Sequence, residues 1–237
     1  MNLEKSFDNE FGKIHENWQK LIKEKNVYDI LKKYVIRGFT LYPNAKPTMQ
    51  NILKPFKYVS PEDVGLIIIA DKPEIDSYGF AYSSLSKLPL HDAITNELHH
   101  EFKGISDTLT KQTIDSKMMA LASQGAFMPI LNMFVKIGKP ESDQIMIFWH
   151  VIFNELNKYS CMVYLVFRTG IEEFVNEYVK TEKGDDKPKP DDPINKYINC
   201  KIKALIDSTN FIGCGCFMRC NRYLKEYYKT PINWMNI

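Results

Sequence analysis

The sequence lacks a long apolar run, a marked excess of charge of one sign, and a secretory leader. Its most apolar segments, VGLIIIA and IMIFWHVIF, are far shorter than the roughly 18–20 residues that span a bilayer. The formal charge is +2, from 31 basic and 29 acidic residues, so no overall field indicates a nucleic-acid partner. The start, MNLEKSFDNEFGK, is charged and unlike a signal peptide. We therefore expect a soluble intracellular protein, in the nucleus or cytoplasm, with no membrane partner.

Cysteine is scarce and its spacing is uninformative. The five cysteines are an odd number without a secretory signal, which favours reduced thiols. The segment CGCFMRC places Cys214, Cys216 and Cys220 together, but this spacing is not that of a zinc knuckle and no histidine lies nearby. We expect no metal and no small-molecule cofactor.

The chain does contain enough apolar material for a sizeable core. A hydrophobic content of 44% over 237 residues predicts one domain, residues 1–237. The charged segment TEKGDDKPKPDDP has three prolines and no apolar residue, which predicts a flexible insert at about 181–195. From Lys196 onward, seven basic residues face two acidic ones, so a basic C-terminal face is an alternative to ordinary solvated helix charges.

Strand-like and helix-like segments alternate along the chain. The first 40 residues have apolar positions at helical spacing, with Gly38 predicted to end the pattern. A helix is predicted to open near Pro89, and another at the N-caps Ser142 or Asp143. The four predicted strands lie in GLIIIA, GAFMPILNMFV, CMVYLVF and KIKALI. This order predicts a three-layer α/β/α fold with a central four-stranded parallel sheet.

Charged residues follow the first strand at once. Ile67, Ile68 and Ile69 lead into Asp71, Lys72 and Pro73. Active sites of α/β proteins lie at the carboxyl ends of the strands. This stretch therefore has the position of a catalytic loop.

Several collinear segments resemble the family 1 uracil-DNA glycosylases, including the poxvirus type. The similar segments are ENWQKLI, TLYP, FKYVSPEDVGLIIIADKP, YGFAYS, LASQGAFMPILNMFVK, FIGCGCF and TPINWM. The resemblance implies DNA bound across the carboxyl ends of the strands, with a uracil flipped into a pocket and its glycosidic bond broken. That chemistry needs a carboxylate to orient water and a donor for the departing uracil anion.

The catalytic positions that the resemblance implies are altered. The water-activating loop G-Q-D-P-Y-H of the family reads ADKPEI here, so Lys72 stands at the aspartate position and Asp71 one place earlier. The position of the family's Tyr is Glu74. The loop that carries the donor histidine and a wedging leucine is shorter and has no histidine. The uracil-reading asparagine aligns with Ile130, and Asn132 follows two positions later.

Other parts of the expected site are retained or changed in part. Pro73, Gly79, Tyr82 and Asn132 are the predicted pocket remnants, with Tyr82 at the stacking position or simply a core aromatic. Leu88, Pro89 and Leu90 replace one small phosphate-gripping loop. The candidate contacts to a DNA backbone are Arg168, Thr169, Lys203, Arg219 and Arg222.

Three functions remain open on the sequence. The first is a catalytically lapsed glycosylase fold that serves as a subunit of a DNA replication or repair complex, as a processivity factor does, with a protein partner and backbone contacts to DNA. The second is an active uracil-DNA glycosylase that uses Asp71, with Asp207, Ser208 or Thr209 as the alternative donor. The third is a protein-only interaction module.

Overall fold

The computed structural model describes residues 2–103, 115–134, 139–158, 162–178, 199–206 and 208–237. Within these ranges the helices are α1 (Leu3–Phe11), α2 (Glu16–Glu24), α3 (Tyr28–Leu41), α4 (Pro89–Glu101), α5 (Met119–Ser123), α6 (Lys139–Leu156), α7 (Glu172–Asn176) and α8 (Cys216–Glu226). The strands are β1 (Leu66–Ile68), β2 (Ala126–Phe127), β3 (Val163–Val166) and β4 (Cys200–Lys203). Two 3-10 helices cover Lys54–Lys57 and Thr169–Ile171.

The four strands form one parallel sheet in the order β2-β1-β3-β4. Leu66 of β1 pairs with Ala126 of β2 on one side and with Val163 of β3 on the other. Val163 pairs in turn with Cys200 of β4. The predicted four-stranded parallel sheet is therefore confirmed.

Helices cover both faces of the sheet because successive strand residues point to opposite sides. Ile67 and Ile69 pack into a core with α1, α2, α3, α6 and α7. Leu66 and Ile68 pack into a second core with α4, α5 and α8. These two cores give the three layers that the sequence predicts.

Aromatic side chains fill the first core. The Phe127 ring centre lies 5.1 Å from that of Trp18 and 5.4 Å from that of Phe56. The indole N–H of Trp18 donates to the carbonyl of Val59 at 2.8 Å. The indole N–H of Trp149 donates to the carbonyl of Leu131 at 2.8 Å. Both indoles of the first core thus have their donors satisfied, and the sheet packs against an aromatic layer.

Some element boundaries differ from the prediction. Gly38 lies inside α3 instead of ending it, because a Cβ there would come within 2.2 Å of the Phe134 ring and only glycine permits that contact. The N-cap prediction at Ser142 or Asp143 was wrong, since α6 begins at Lys139. The helix predicted near Pro89 is confirmed as α4.

Two sequence expectations concern regions beyond the sheet. The predicted insert at about 181–195 lies outside the described residues. Among the helices of the described ranges, none is both long enough and apolar enough to cross a membrane.

Candidate active site

The carboxyl ends of β1 and β2 bring a carboxylate and an amide together. Just beyond β1 and β2 the two segments stay paired, since Ala70 forms an isolated parallel bridge with Ile130. The backbone N–H of Asn132 donates to the Asp71 carbonyl at 2.8 Å. Its side-chain amide donates to Asp71 Oδ1, also at 2.8 Å. Asp71 and Asn132 are thus held as a pair by backbone and side-chain bonds.

Further contacts fix both members of the pair. The hydroxyl of Ser142, in the first turns of α6, donates to Oδ1 of Asn132. Both ends of the Asn132 amide are therefore engaged. The Asp71 side chain is 47% exposed, and Lys72 Nζ lies 4.0 Å from its Oδ2. The outer carboxylate oxygen of Asp71 can reach water, beside a flexible lysine.

Tyr82 is buried next to this edge of the sheet. Only 2% of the residue is exposed, and its hydroxyl donates to the Ile69 carbonyl at 3.0 Å. Its backbone has a φ of +60°, and the imidazole of His91 bonds its carbonyl at 2.9 Å. The cavity beside the ring holds about 10 Å³, which is about the space of one water molecule.

Arg168 lies over the Tyr82 ring. Its guanidinium carbon is 5.4 Å from the ring centre, within cation–π range. The guanidinium also pairs with Oε1 of Glu74 at 3.2 Å. The ring of Phe167 meets Tyr82 edge-on at 5.6 Å. The loops after β1 and β3 therefore meet above Tyr82 through one ion pair.

Comparison with known proteins decides what this scaffold is. No protein-family model matches the chain. The crystal structure of mimivirus uracil-DNA glycosylase superposes with a TM-score of 0.67 at 13% identity, covering 99% of this chain and 89% of that one. The chain has the uracil-DNA glycosylase fold. A second enzyme of this kind, from Nitratifractor salsuginis, superposes with a TM-score of 0.54 at 14% identity, covering 89% and 92% of the two chains.

Sequence relatives agree with the fold. The uracil-DNA glycosylase of Borrelia hermsii is 24% identical over 238 residues, which cover 94% of this chain and 98% of that protein. The uracil-DNA glycosylase of human herpesvirus 7 is 23% identical and covers 90% of this chain and 80% of its own. The resemblance to family 1 uracil-DNA glycosylases that the motifs indicate is therefore confirmed across nearly the whole chain.

Within this glycosylase fold, the predicted pocket residues have different surroundings. Asp71 and Asn132 are in direct contact, and Ile130 is buried in the second core. Pro73 is buried in the same loop as Asp71. Gly79 has a φ of +108°, and a Cβ there would lie 2.2 Å from the Asn51 carbonyl oxygen. Gly79 thus allows a close backbone approach.

The candidate contacts to DNA are largely engaged within the protein. Arg168 pairs with Glu74, and Lys203 Nζ lies 2.8 Å from Glu172 Oε2. Arg222 lies 3.9 Å from Glu226 and over the Tyr223 ring at 5.1 Å. Thr169 begins an exposed 3-10 turn, and Arg219 is exposed on α8. These residues do not form a groove of unpaired cations.

The alternative donors lie beyond β4. Asp207 is outside the described residues. The Ser208 hydroxyl donates to the Leu205 carbonyl at 2.7 Å, and Thr209 is exposed. Ser208 and Thr209 are both exposed, and the Ser208 hydroxyl is already engaged.

A buried acidic pair beside the cysteines has no signal in the sequence. Glu97 Oε1 accepts from the Gly215 N–H at 2.8 Å, and Glu101 accepts from the N–H groups of Phe217 and Met218 at 3.0 and 2.7 Å. Burial raises the pKa of Glu101 to about 7, with Glu97 adding to the effect. These carboxylates cap the N-terminus of α8.

The same pair approaches two thiols. One donor atom each from Glu97, Glu101, Cys214 and Cys216 lies within 4.8 Å of the others. The carboxylates are already engaged by backbone N–H groups of the loop before α8 and of its first turn, which explains why they are buried there. The expectation of no metal stays a prediction.

Proposed function

We propose that the protein is a uracil-DNA glycosylase in which Asp71 is the water-activating carboxylate. The hydrogen-bonded pair of Asp71 and Asn132 at the carboxyl edge of the sheet carries the proposal. Support comes from sequence relatives that are uracil-DNA glycosylases and that align with nearly the whole chain.

The proposed reaction is hydrolysis of the N-glycosidic bond of a flipped deoxyuridine. The bond breaks with its electron pair leaving on uracil, and the sugar carbon becomes cationic. The Asp71 carboxylate stabilises this cation and orients the attacking water, whose proton it accepts as the new carbon–oxygen bond forms. Thr209 is the proposed donor to the departing uracil anion, since the residue is exposed after β4, whereas the Ser208 hydroxyl is engaged.

Asn132 acts as a positioning residue in this mechanism. Its amide N–H holds Asp71 Oδ1, and its amide oxygen accepts from Ser142. With one N–H on Asp71 and its oxygen on Ser142, Asn132 supports the carboxylate in this arrangement. It leaves Oδ2 of Asp71 facing solvent for the water.

The test is uracil release from a single-stranded uracil oligonucleotide at high protein concentration. Asp71→Asn keeps an oxygen for the Asn132 bond but removes the charge, so we expect release to fall by about 10²–10³. Asp29→Asn is the matched control, because Asp29 is exposed on α3, which packs against the first core. Release that is unchanged in Asp71→Asn would contradict the assignment.

A second candidate function is a non-catalytic subunit in a DNA replication or repair assembly with a protein partner. The specific observation that favours it is the ion pair of Arg168 and Glu74, which covers the Tyr82 ring where a base would stack. Absence of release from the wild-type protein over a long incubation would favour this candidate. The next measurement would then be salt-dependent binding of DNA without uracil.

A further inference from the structure

Lys54 is a buried lysine without an anionic partner. The residue is 7% exposed in the 3-10 helix Lys54–Lys57, and its Nζ lies 2.9 Å from the ring centre of Tyr78. Burial, aided by Lys57 and Lys117, lowers the pKa of Lys54 to about 8. In the part of the chain that the structure describes, no carboxylate pairs with it and no acceptor bonds its ammonium group. A buried cation is costly unless an anion accompanies it.

A second unpaired cation lies beside the same ring. Lys117 Nζ is 5.6 Å from the Tyr78 ring centre, and the lysine is exposed. The nearest acidic residue along the chain is Asp115, whose carboxylate accepts the backbone N–H groups of Lys117 and Met119 at 3.0 and 3.1 Å. Across the described ranges, Lys117 has no ion pair. Lys57, by contrast, is paired with Glu10 at 3.0 Å.

Exposed aromatic surface adjoins the two ammonium groups. Tyr58 is exposed, and its ring centre lies 5.6 Å from that of Phe80. Tyr78 is half-buried between the two lysines. We call Lys54, Tyr58, Tyr78 and Lys117 the Lys54 patch. Cations interleaved with aromatic rings are typical of surfaces that bind single-stranded nucleic acids.

The Lys54 patch borders the candidate active site. Tyr78 belongs to the loop between β1 and α4, which also contains Asp71 and Tyr82. The N–H of Ala81 in this loop donates to the carbonyl of Met128, just beyond β2, at 2.9 Å. The N–H of Ser84 donates to the carbonyl of Ser116 at 2.8 Å, which ties the Lys117 segment to the same loop.

We propose that the Lys54 patch binds one phosphate group of the DNA strand, shared between the ammonium groups of Lys54 and Lys117. A phosphate supplies the anion that the buried Lys54 lacks, and the neighbouring bases find ring surface on Tyr58 and Tyr78. This inference rests on the proposed function, because it takes the DNA strand to pass the carboxyl edge of the sheet.

The test is fluorescence anisotropy with single-stranded oligo(dT), which contains no uracil, over a series of salt concentrations. Each neutralised phosphate contributes about 0.7 to the slope of log K against log salt for single strands. We expect Lys117→Gln and Lys54→Met each to reduce the slope by up to about 0.7. The double variant should lose no more than about 0.7 in total, since both lysines serve one phosphate.

Controls separate the possible outcomes. Lys33→Gln removes the same charge from an exposed site on α3 and should leave the slope unchanged. Lys117 is exposed, so Lys117→Gln carries the test even if Lys54→Met fails to fold. Wild-type slopes in the variants, or a loss of about 1.4 in the double variant, would overturn the shared site.

Uracil release by the wild-type protein, measured in parallel, distinguishes the two proposals. Release together with unchanged variant slopes overturns only the Lys54 patch. Lysine-dependent slopes without release support the patch and overturn the proposed enzyme. Absence of oligo(dT) binding by the wild-type protein overturns the patch, whatever the release assay shows.

Discussion

Raising the pH from about 5 to about 8 should destabilise the protein through one buried carboxyl group, Glu101. The residue is 9% exposed and lies against the first turn of α8. Burial is the largest cause of its raised pKa, and the neighbouring Glu97 adds to it. The N–H groups of Phe217 and Met218 favour the charged form but do not offset the burial.

The size of the effect follows from the difference between the folded and unfolded states. The pKa of Glu101 is about 7 in the folded protein against an ordinary value of 4.5. The folded state therefore binds the proton more tightly. Its contribution to the free energy of unfolding is complete below about pH 4.5 and is lost as the pH rises through about 7. The folded pKa of about 7 against 4.5, at about 1.4 kcal/mol for each pH unit, gives a total of about 3.5 kcal/mol, of which about 2.5 kcal/mol is lost between about pH 5 and about pH 8.

The assay is denaturant unfolding of the wild-type protein and Glu101→Gln across this pH range. The side chain introduced does not titrate, so the difference between the two proteins reports the titration of Glu101 together with its interaction with Glu97. We expect the wild-type protein to lose stability relative to the variant by about 2.5 kcal/mol between about pH 5 and about pH 8. Asp29→Asn should give a constant difference. A constant difference for Glu101→Gln as well would refute the reasoning.

Three further substitutions test the core, a turn and the site. Phe127→Ala should cost about 3–5 kcal/mol of unfolding free energy in denaturant melts, because the ring is fully buried among aromatics. Its control is Ile75→Ala, at an 89% exposed residue, which should change the unfolding free energy by less than about 0.5 kcal/mol. Gly79→Ala should cost about 2 kcal/mol or more, because the new Cβ would meet a backbone oxygen at 2.2 Å, whereas Gly170→Ala has open space around it. Equal thermal stability of those two glycine variants would contradict the close approach. Arg168→Ala should lower the KM for uracil-containing DNA without raising kcat, since the substitution uncovers the Tyr82 ring. An unchanged KM would show that the base does not stack on this ring.

The fold was predictable because its central strands, β1 and β3, are continuous apolar runs that local sequence alone reveals. Leu66 to Ile69 and Val163 to Val166 are buried on both faces of the sheet, so hydrophobicity alone indicates them. Helix boundaries were less predictable. Glycine is common at helix ends, so the sequence predicts that Gly38 ends a helix. The contact that explains its place inside α3 comes from Phe134, far along the chain.

The candidate site was predictable only in part. Asp71 could be placed at the end of a strand, but its bond to Asn132 joins residues 61 positions apart. The capping of α8 by Glu97 spans 118 positions. The pairing of Arg168 with Glu74 likewise depends on how two loops meet. Local patterns carry no information about such contacts, which form only when the sheet brings the strand ends together.

Two of the features that weaken the candidate active site have smaller interaction energies than the carboxylate that supports it. Lys72 lies 4.0 Å from the half-exposed Asp71 carboxylate. The interaction of two unit charges at that distance in water is about 1 kcal/mol, which corresponds to about fivefold in rate. Displacing Arg168 from Tyr82 costs a surface ion pair and an exposed cation–π contact, together about 1–2 kcal/mol.

Loss of a placed carboxylate costs more, about 10²–10³ in rate. Asp71 is held by both the backbone N–H and the side-chain amide of Asn132, and the preceding Ala70 is bonded to Pro129 and Leu131, so the position of Asp71 is fixed at the sheet edge. In the proposed enzyme, the lysine and the arginine would therefore reduce binding and rate modestly, whereas the carboxylate would supply the larger effect. On this balance the proposed glycosylase should bind its base weakly and still turn over.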